Sequence, residues 1–294
     1  MTVLVSALLP VTIIILIGFA AAKTINLDQK SLSKLSVYIL SPGLVVTSLY
    51  RTQLGGESIT LLLGGFVLIT LILSVMAWLI GRIFKLKPAS QKSLIATTIL
   101  PNTGNMGLPL NAFVYGTAGL ERAIVYLIGA SILMFGITPA LLKGGGWRSG
   151  IKLTTKLPLF WAILAGLSLR ILSIKLPSNL DDGINQLGMA AIPIGLLILG
   201  VQLANTSTQI SMYEIGAASL RLILAPIVAY GVGNLLNLQG LDLQVLVLQS
   251  SMPVAVNSVV LVTEFGGDAA MVARTVVVST ILSFLTLPVV IAIN

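Results

Sequence analysis

Between Leu100 and Leu110 the chain reads Leu-Pro-Asn-Thr-Gly-Asn-Met-Gly-Leu-Pro-Leu. Two prolines, two glycines and two asparagines packed this closely cannot form an undisturbed helix. Pro101 and Pro109 each remove a backbone donor, while Gly104 and Gly107 permit unusual dihedrals and close approach. In an apolar chain a broken backbone is tolerated only where it is buried in protein or lines a cavity. N–H groups freed there, with a half-helix amino end behind them, make an anion site that needs no full positive charge. A second run, Gln249-Ser-Ser-Met-Pro-Val-Ala-Val-Asn-Ser258, has the same design: Pro253 breaks it, and Asn257 follows four residues on, as Asn105 follows Pro101. Asn supplies donors to a carboxylate and an acceptor to a cation. Asn102, Thr103, Asn105, Asn257 and Ser258 are the candidate substrate-binding residues, and Pro101, Gly104, Gly107, Pro109 and Pro253 the candidate helix breaks. Side by side, the two breaks would bring their Asn side chains together near the midplane of a bilayer.

Other chemistries have little to stand on. The chain has no His and no Cys, which removes imidazole acid–base catalysis, thiol chemistry, disulfides and zinc or haem sites built on those ligands. No pair of acids falls at the middle of an apolar stretch, so a membrane enzyme has no catalytic centre and no metal or cofactor is expected. A coupling ion, H+ or Na+, is left open, because Asn, Ser and Thr oxygens beside both breaks would suit sodium. Glu264, Asp268, Arg221 and Arg274 lie in or beside apolar stretches; ionisable residues there are functional candidates by default, and all four could equally pair or snorkel near an interface. Pro42 and Pro193 read as bends flanking the site, and Gln202 is a weak candidate only.

The elements that must hold these runs are membrane helices. Hydrophobic residues make up 56% of the chain and charged ones 9%, with a mean hydropathy of +1.04; soluble domains carry about 25% charged residues. A spanning helix needs about 20 apolar residues. Ten such segments can be drawn, at about 3–22, 30–50, 59–81, 90–114, 120–142, 153–174, 183–205, 212–236, 241–265 and 268–293. The first reads as a span and not as a removable signal. Odd-numbered loops hold eleven of the 17 Lys and Arg residues and even-numbered loops four. Basic loops stay in the cytoplasm, so both termini are expected outside. The net charge of +8 is explained by these loops, without nucleic acid.

The two halves echo one another. Pro10, Pro42, Pro101 and Pro139 recur as Pro158, Pro193, Pro253 and Pro288, at offsets of 148, 151, 152 and 149, and Asn105 and Arg122 recur as Asn257 and Arg274 at 152. Chance would supply roughly one such proline match. Residues 1–143 and 153–294 therefore read as two five-helix repeats joined by a short cytoplasmic connection, 144–152. An odd number of spans per repeat makes the second enter the membrane inverted, the plan that offers two equivalent shapes to opposite sides. The fold class expected is all-α, with ten spans and with broken helices 4 and 9 crossing.

The run from Leu100 to Gly116, together with Met252-Pro253, Leu287-Pro288 and the Gly266-Gly267-Asp268 turn, resembles the auxin efflux carrier family, which includes bacterial malate-type permeases and plant auxin carriers. The sodium–bile-acid symporters share its plan. The resemblance implies ten spans, crossed broken helices, a scaffold and a moving part, and export or exchange of small organic anions. It implies Asn102 as a ligand of the substrate carboxylate. Two departures stand out: the Asn-Pro that often opens span 6 is Leu157-Pro158 here, and the long central loop of the plant carriers is absent. Both point to a compact microbial member. The expected function is secondary transport of small carboxylates by alternating access in a microbial plasma membrane, with the bilayer and the anion as partners and a homodimer allowed. The alternative is sodium-coupled symport of amphipathic organic acids.

Overall fold

The computed structural model describes residues 2–25, 27–134, 154–206 and 210–294, the side chains of 2–7 and 265 excepted. Pro139, the end of the fifth expected span and the whole 144–152 connection lie outside the described residues. Among those residues the chain is helical and contains no strand.

The first helix, α1 (Thr2–Thr24), carries no charge before Lys23. Asp28 starts α2 (Gln29–Leu35): its carboxylate accepts from the Lys30 and Ser31 amides at 3.2 and 3.0 Å, occupying donors that a helix start leaves free. Bonds from the Ser31 hydroxyl and then from these amides hold the Asp28 carboxyl below the usual carboxylate range. A π-helical stretch, Ser36–Leu40, leads into α3 (Ser41–Arg51), with Pro42 in its first turn. Next come α4 (Gly56–Ile83) and α5 (Pro88–Ile99). After an extended break, a second π-helical stretch, Thr103–Gly107, opens α6 (Leu108–Ile132). Gly116, at φ 66° and ψ −158°, kinks α6 where the fourth and fifth expected spans meet; an L side chain is strained in that conformation.

The remaining helices are α7 (Pro158–Ile171), α8 (Ser178–Met189), α9 (Ala191–Asn205), α10 (Met212–Leu235), α11 (Gly240–Ser250), α12 (Ser258–Phe265) and α13 (Ala269–Ile293). Ser211 and Glu214 form a capping box at the start of α10, Gly266 ends α12 at φ 74°, and Asp268 caps α13. Among the described residues, five helical stretches are long and apolar enough to cross a membrane: Gln29–Arg51, Gly56–Ile83, Ser178–Asn205, Met212–Leu235 and Ala269–Ile293. α7 is a shorter apolar helix, and α1 is apolar from Leu8 to Ala22. Large apolar side chains such as Leu16, Val67, Leu71, Ile227 and Leu285 point outward, as they must where the solvent is hydrocarbon.

Two apolar cores share α6 as their common wall. One joins α3, α6, α7 and α9 through Leu44, Ile124, Leu159 and Ile192. The other joins α4, α6, α10 and α11 through Phe66, Tyr126, Ala225 and Leu246, with the Phe66 and Tyr126 rings edge to face at 5.0 Å. Small residues set the closest helix approach. Along α1 and α9, a Cβ on Gly18 would stand 2.4 Å from the Leu197 oxygen, and one on Gly200 2.1 Å from the Ile15 oxygen. Backbone cannot yield as a side chain does, so Gly200→Val should force α1 and α9 apart. The expected loss is about 2 kcal/mol or more, read as a lower midpoint of thermal unfolding in detergent.

Candidate functional site

The site is built where the two interrupted stretches cross. Beyond α5 the chain runs extended through Leu100, Pro101 and Asn102, and it meets the interruption between α11 and α12 in a single antiparallel pairing of Pro101 with Val254. The Asn102 amide donates to the Pro253 oxygen at 2.8 Å, and the Ala255 amide donates to the Leu100 oxygen at 2.9 Å. The Val254 amide donates to the Ser279 hydroxyl of α13 at 3.1 Å. Each break thus supplies partners that the other lacks, which a hydrocarbon environment would not provide. Past the pairing, the Asn102 oxygen accepts from the Gly107 amide at 3.0 Å, a wide π-type turn that restarts the helix with Pro109 in the first turn of α6.

The crossing separates two pairs of helix ends. On one side lie the carboxyl ends of α5 and α11, whose last carbonyls have no partner within their helices. Arg221 of α10, 1% exposed, reaches them: its Nε donates to the Met252 oxygen at 3.1 Å, one terminal nitrogen to the Thr98 oxygen at 2.7 Å, and the other to the Ser250 oxygen. Tyr126 is joined to this end of α11 by a hydroxyl contact of 2.9 Å with Ser250. On the other side lie the amino ends of the Thr103-to-α6 segment and of α12. Each carries roughly half a positive charge from its aligned peptides.

These amino ends border a cavity of about 90 Å³. Pro101, Asn102, Thr103, Gly104 and Asn105 line it from the first break, and Ala255, Val256 and Asn257 from the second. No charged side chain lines it among the described residues. Asn102 is 4% exposed and its Nδ2 has no hydrogen-bond partner. A buried amide donor without a partner is costly, and here it belongs to a residue of the cavity wall. Asn105 and Asn257 are partly exposed.

Six of the ten residues named from the sequence line the cavity, and four, Ser258, Gly107, Pro109 and Pro253, do not. Ser258 is buried, with its hydroxyl donating to the Ala255 oxygen, and is not in the cavity wall. Gly107 lies against the side chain of Gln249, where a Cβ would stand 2.2 Å from Oε1. Pro109 and Pro253 are buried near the wall, and Pro101 both lines the cavity and carries the pairing. Gln202 is buried with an unpartnered Oε1, but outside the cavity. Pro42 and Pro193 sit in the first turns of α3 and α9; Ser41, beside Pro42, is a lining residue.

Sequence reasoning missed the opposite wall. Ser36 and Ser41 come from the π-helical lead and the start of α3, Ser131 from the end of α6 with Met134 just beyond it, and Leu157 to Leu159 from the start of α7. Serines in apolar helices carry no positional signal, since most of them bond the preceding turn. Leu157-Pro158, the departure from the resembled family, forms part of this wall. For Arg221 the sequence leaves a functional role and pairing at an interface both open; the structure places it in the interior, bonded to carbonyls of both interrupted helices. The Arg274–Glu214 pair, at 2.7 Å, links α13 to α10, and Arg122 pairs with Asp242, tying α6 to the start of α11.

Taken together, the fold and site define a polytopic membrane protein organised around two crossed, interrupted helices. The chain belongs to the membrane transport protein family, the group of the auxin efflux carriers, whose model matches residues 3–152 and 147–291. It is 31% identical over 289 residues to an uncharacterized transporter of Methanothermobacter thermautotrophicus, covering 95% of each chain. It is 28% identical over 290 residues to an uncharacterized transporter of Methanocaldococcus jannaschii, covering 94% of each. A protein of Rhizobium meliloti named "Putative malonate transporter" is 25% identical over 301 residues, covering 95% of this chain and 92% of that one. The protein is therefore an integral membrane transporter.

Ser279→Ala would leave the Val254 amide buried without a partner. The expected cost is about 1–3 kcal/mol, seen as reduced thermal stability, and Ser279→Thr, which keeps a hydroxyl, should recover most of it.

Proposed function

We propose that the chain is a secondary carrier of small carboxylates that binds its cargo at the crossing and exposes it alternately to the two sides of the membrane. The observation that carries this reading is the buried, unpartnered Nδ2 of Asn102 in the wall of a cavity bordered by two helix amino ends. A carboxylate oxygen would accept from Asn102, with Thr103, Asn105 and Asn257 supplying further polar groups. Fixed half-charges suit an anion that must also leave, because a full lysine or arginine charge would hold it too tightly. The name of the Rhizobium relative supports a malonate-sized cargo. The small volume and its serine-bearing wall favour such a cargo over the amphipathic acids of a sodium-coupled symporter.

The mechanism proposed is a ten-span inverted repeat in which one group of helices moves against the other. Its support lies in matching parts: α5 and α11 begin 152 residues apart, at Pro88 and Gly240, and positive-φ glycines, Gly116 and Gly266, follow the two breaks. α1 packs on α9 and α3 on α7, while α10 packs on α13 and α4, a grouping that would let the crossing travel with α4, α6, α10 and α13. Both termini would face outward, and no resident cofactor is needed.

The test is binding by the purified full chain, read as a rise in the melting temperature with malonate and other mono- and dicarboxylates. Asn102→Ala should weaken binding by about tenfold to a hundredfold, corresponding to the loss of a hydrogen bond to a charged group of about 1.5–3 kcal/mol, with the unliganded melting temperature nearly unchanged. Asn105→Ala and Asn257→Ala should both impair uptake into proteoliposomes. Full binding by Asn102→Ala would remove the carboxylate from this cavity. Tags on both termini should be reached by membrane-impermeant reagent on intact cells; labelling only after permeabilisation would overturn the orientation.

A further inference from the structure

Arg221 is a charged group in the interior with no carboxylate among the described residues to balance it. A buried cation without compensation is expensive, and the hydrogen bonds of this one all go to backbone carbonyls. What balances it is the pair of carboxyl ends of α5 and α11. Each contributes roughly half a negative charge, so the two together match one guanidinium. The Thr98, Ser250 and Met252 oxygens come from both interrupted helices and point at a single cation. Carbonyls released at half-helix ends are also the usual ligands of a transported cation.

We propose that Arg221 is the built-in cation of the crossing. Its guanidinium fills the place that a free monovalent ion would otherwise occupy between the two carboxyl ends, and by clamping them it positions the Asn102 and Asn257 backbones on the opposite, anion-binding side. It is a positioning residue and does not touch the cargo. The planar fork matters, because three separate carbonyls are reached by nitrogens fixed relative to one another; a lysine ammonium reaches fewer of them in this geometry. Wild-type protein should consequently need no sodium for stability or for binding. The effect on anion affinity rests on the carboxylate-carrier reading, whereas filling of the cation place does not.

The experiment uses the purified full chain, Arg221→Ala and Arg221→Lys, with thermal unfolding and malonate binding measured in choline, sodium and millimolar guanidinium chloride. Wild type should give the same melting temperature and the same malonate Kd in choline and sodium. Arg221→Ala should unfold at a lower temperature, regain several degrees with millimolar guanidinium, and bind malonate at least about tenfold more weakly, with guanidinium restoring part of that affinity. Arg221→Lys should lie between the two and show no guanidinium response. Should Arg221→Ala fail to fold, its recovery when guanidinium is present throughout purification is the expected result, and no recovery counts against the proposal. A sodium requirement in wild type overturns it, as does a folded Arg221→Ala that ignores guanidinium. If wild type binds no carboxylate, the cargo reading fails while the stability series still decides the role of Arg221. Unchanged malonate affinity in a guanidinium-responsive Arg221→Ala would leave a cation site and remove its link to the anion cleft.

Discussion

Hydrocarbon offers no partner to a broken backbone, and every part of the site follows from that constraint. A single break in the helix near residue 101 would strand amides and carbonyls at a cost of several kcal/mol each. Two breaks laid antiparallel supply much of each other's need, through the Asn102 amide to the Pro253 oxygen and the Ala255 amide to the Leu100 oxygen. Ser279 and Arg221 take up remaining groups. The crossing thus joins the two interrupted helices through shared backbone hydrogen bonds.

The same arrangement sorts charge. Two carboxyl ends gather around Arg221, and two amino ends gather around a cavity whose largely apolar wall carries a few neutral polar side chains. The two helix amino ends therefore bring partial positive charge from backbone to the cavity, although no charged side chain lines it among the described residues. The walls differ in chemistry: Asn102 stands on one side, and Ser36, Ser131 and the Leu157-Pro158 turn on the other. The apolar Leu157 makes that second wall less polar than the resembled family would suggest.

Close helix contacts give the crossing its frame. Gly18 and Gly200 let α1 and α9 touch through their backbones, and a Cβ on Gly195 would stand 2.9 Å from the Asn105 Cα. The helix that seats against α1 therefore also seats against the first break. Dispersion forces and small residues do this work inside a membrane, where burial of apolar surface from water contributes little to helix association.

Much of this was legible in the amino-acid order. The apolar content and the basic loops determine a membrane protein, because hydration energies leave a chain with 9% charged residues no soluble alternative. Pro101 and Pro253 fall at the two interruptions, because a proline has no amide to donate, whereas Gly104 and Pro109 lie within the helical segment that follows the first one. Asn102, Thr103, Asn105 and Asn257 stood out for the same local reason. Only the tertiary structure decided that Ser258 and Gly107 belong to the wall's backing, that serines from α3 and α6 complete the cavity, and that Arg221 lies at the heart of the crossing. Those outcomes depend on which helix ends meet in space, across separations of 100 residues or more between Thr98 and Arg221. The energy of a buried charge is set by the carbonyls that surround it, and no local pattern in the chain records them.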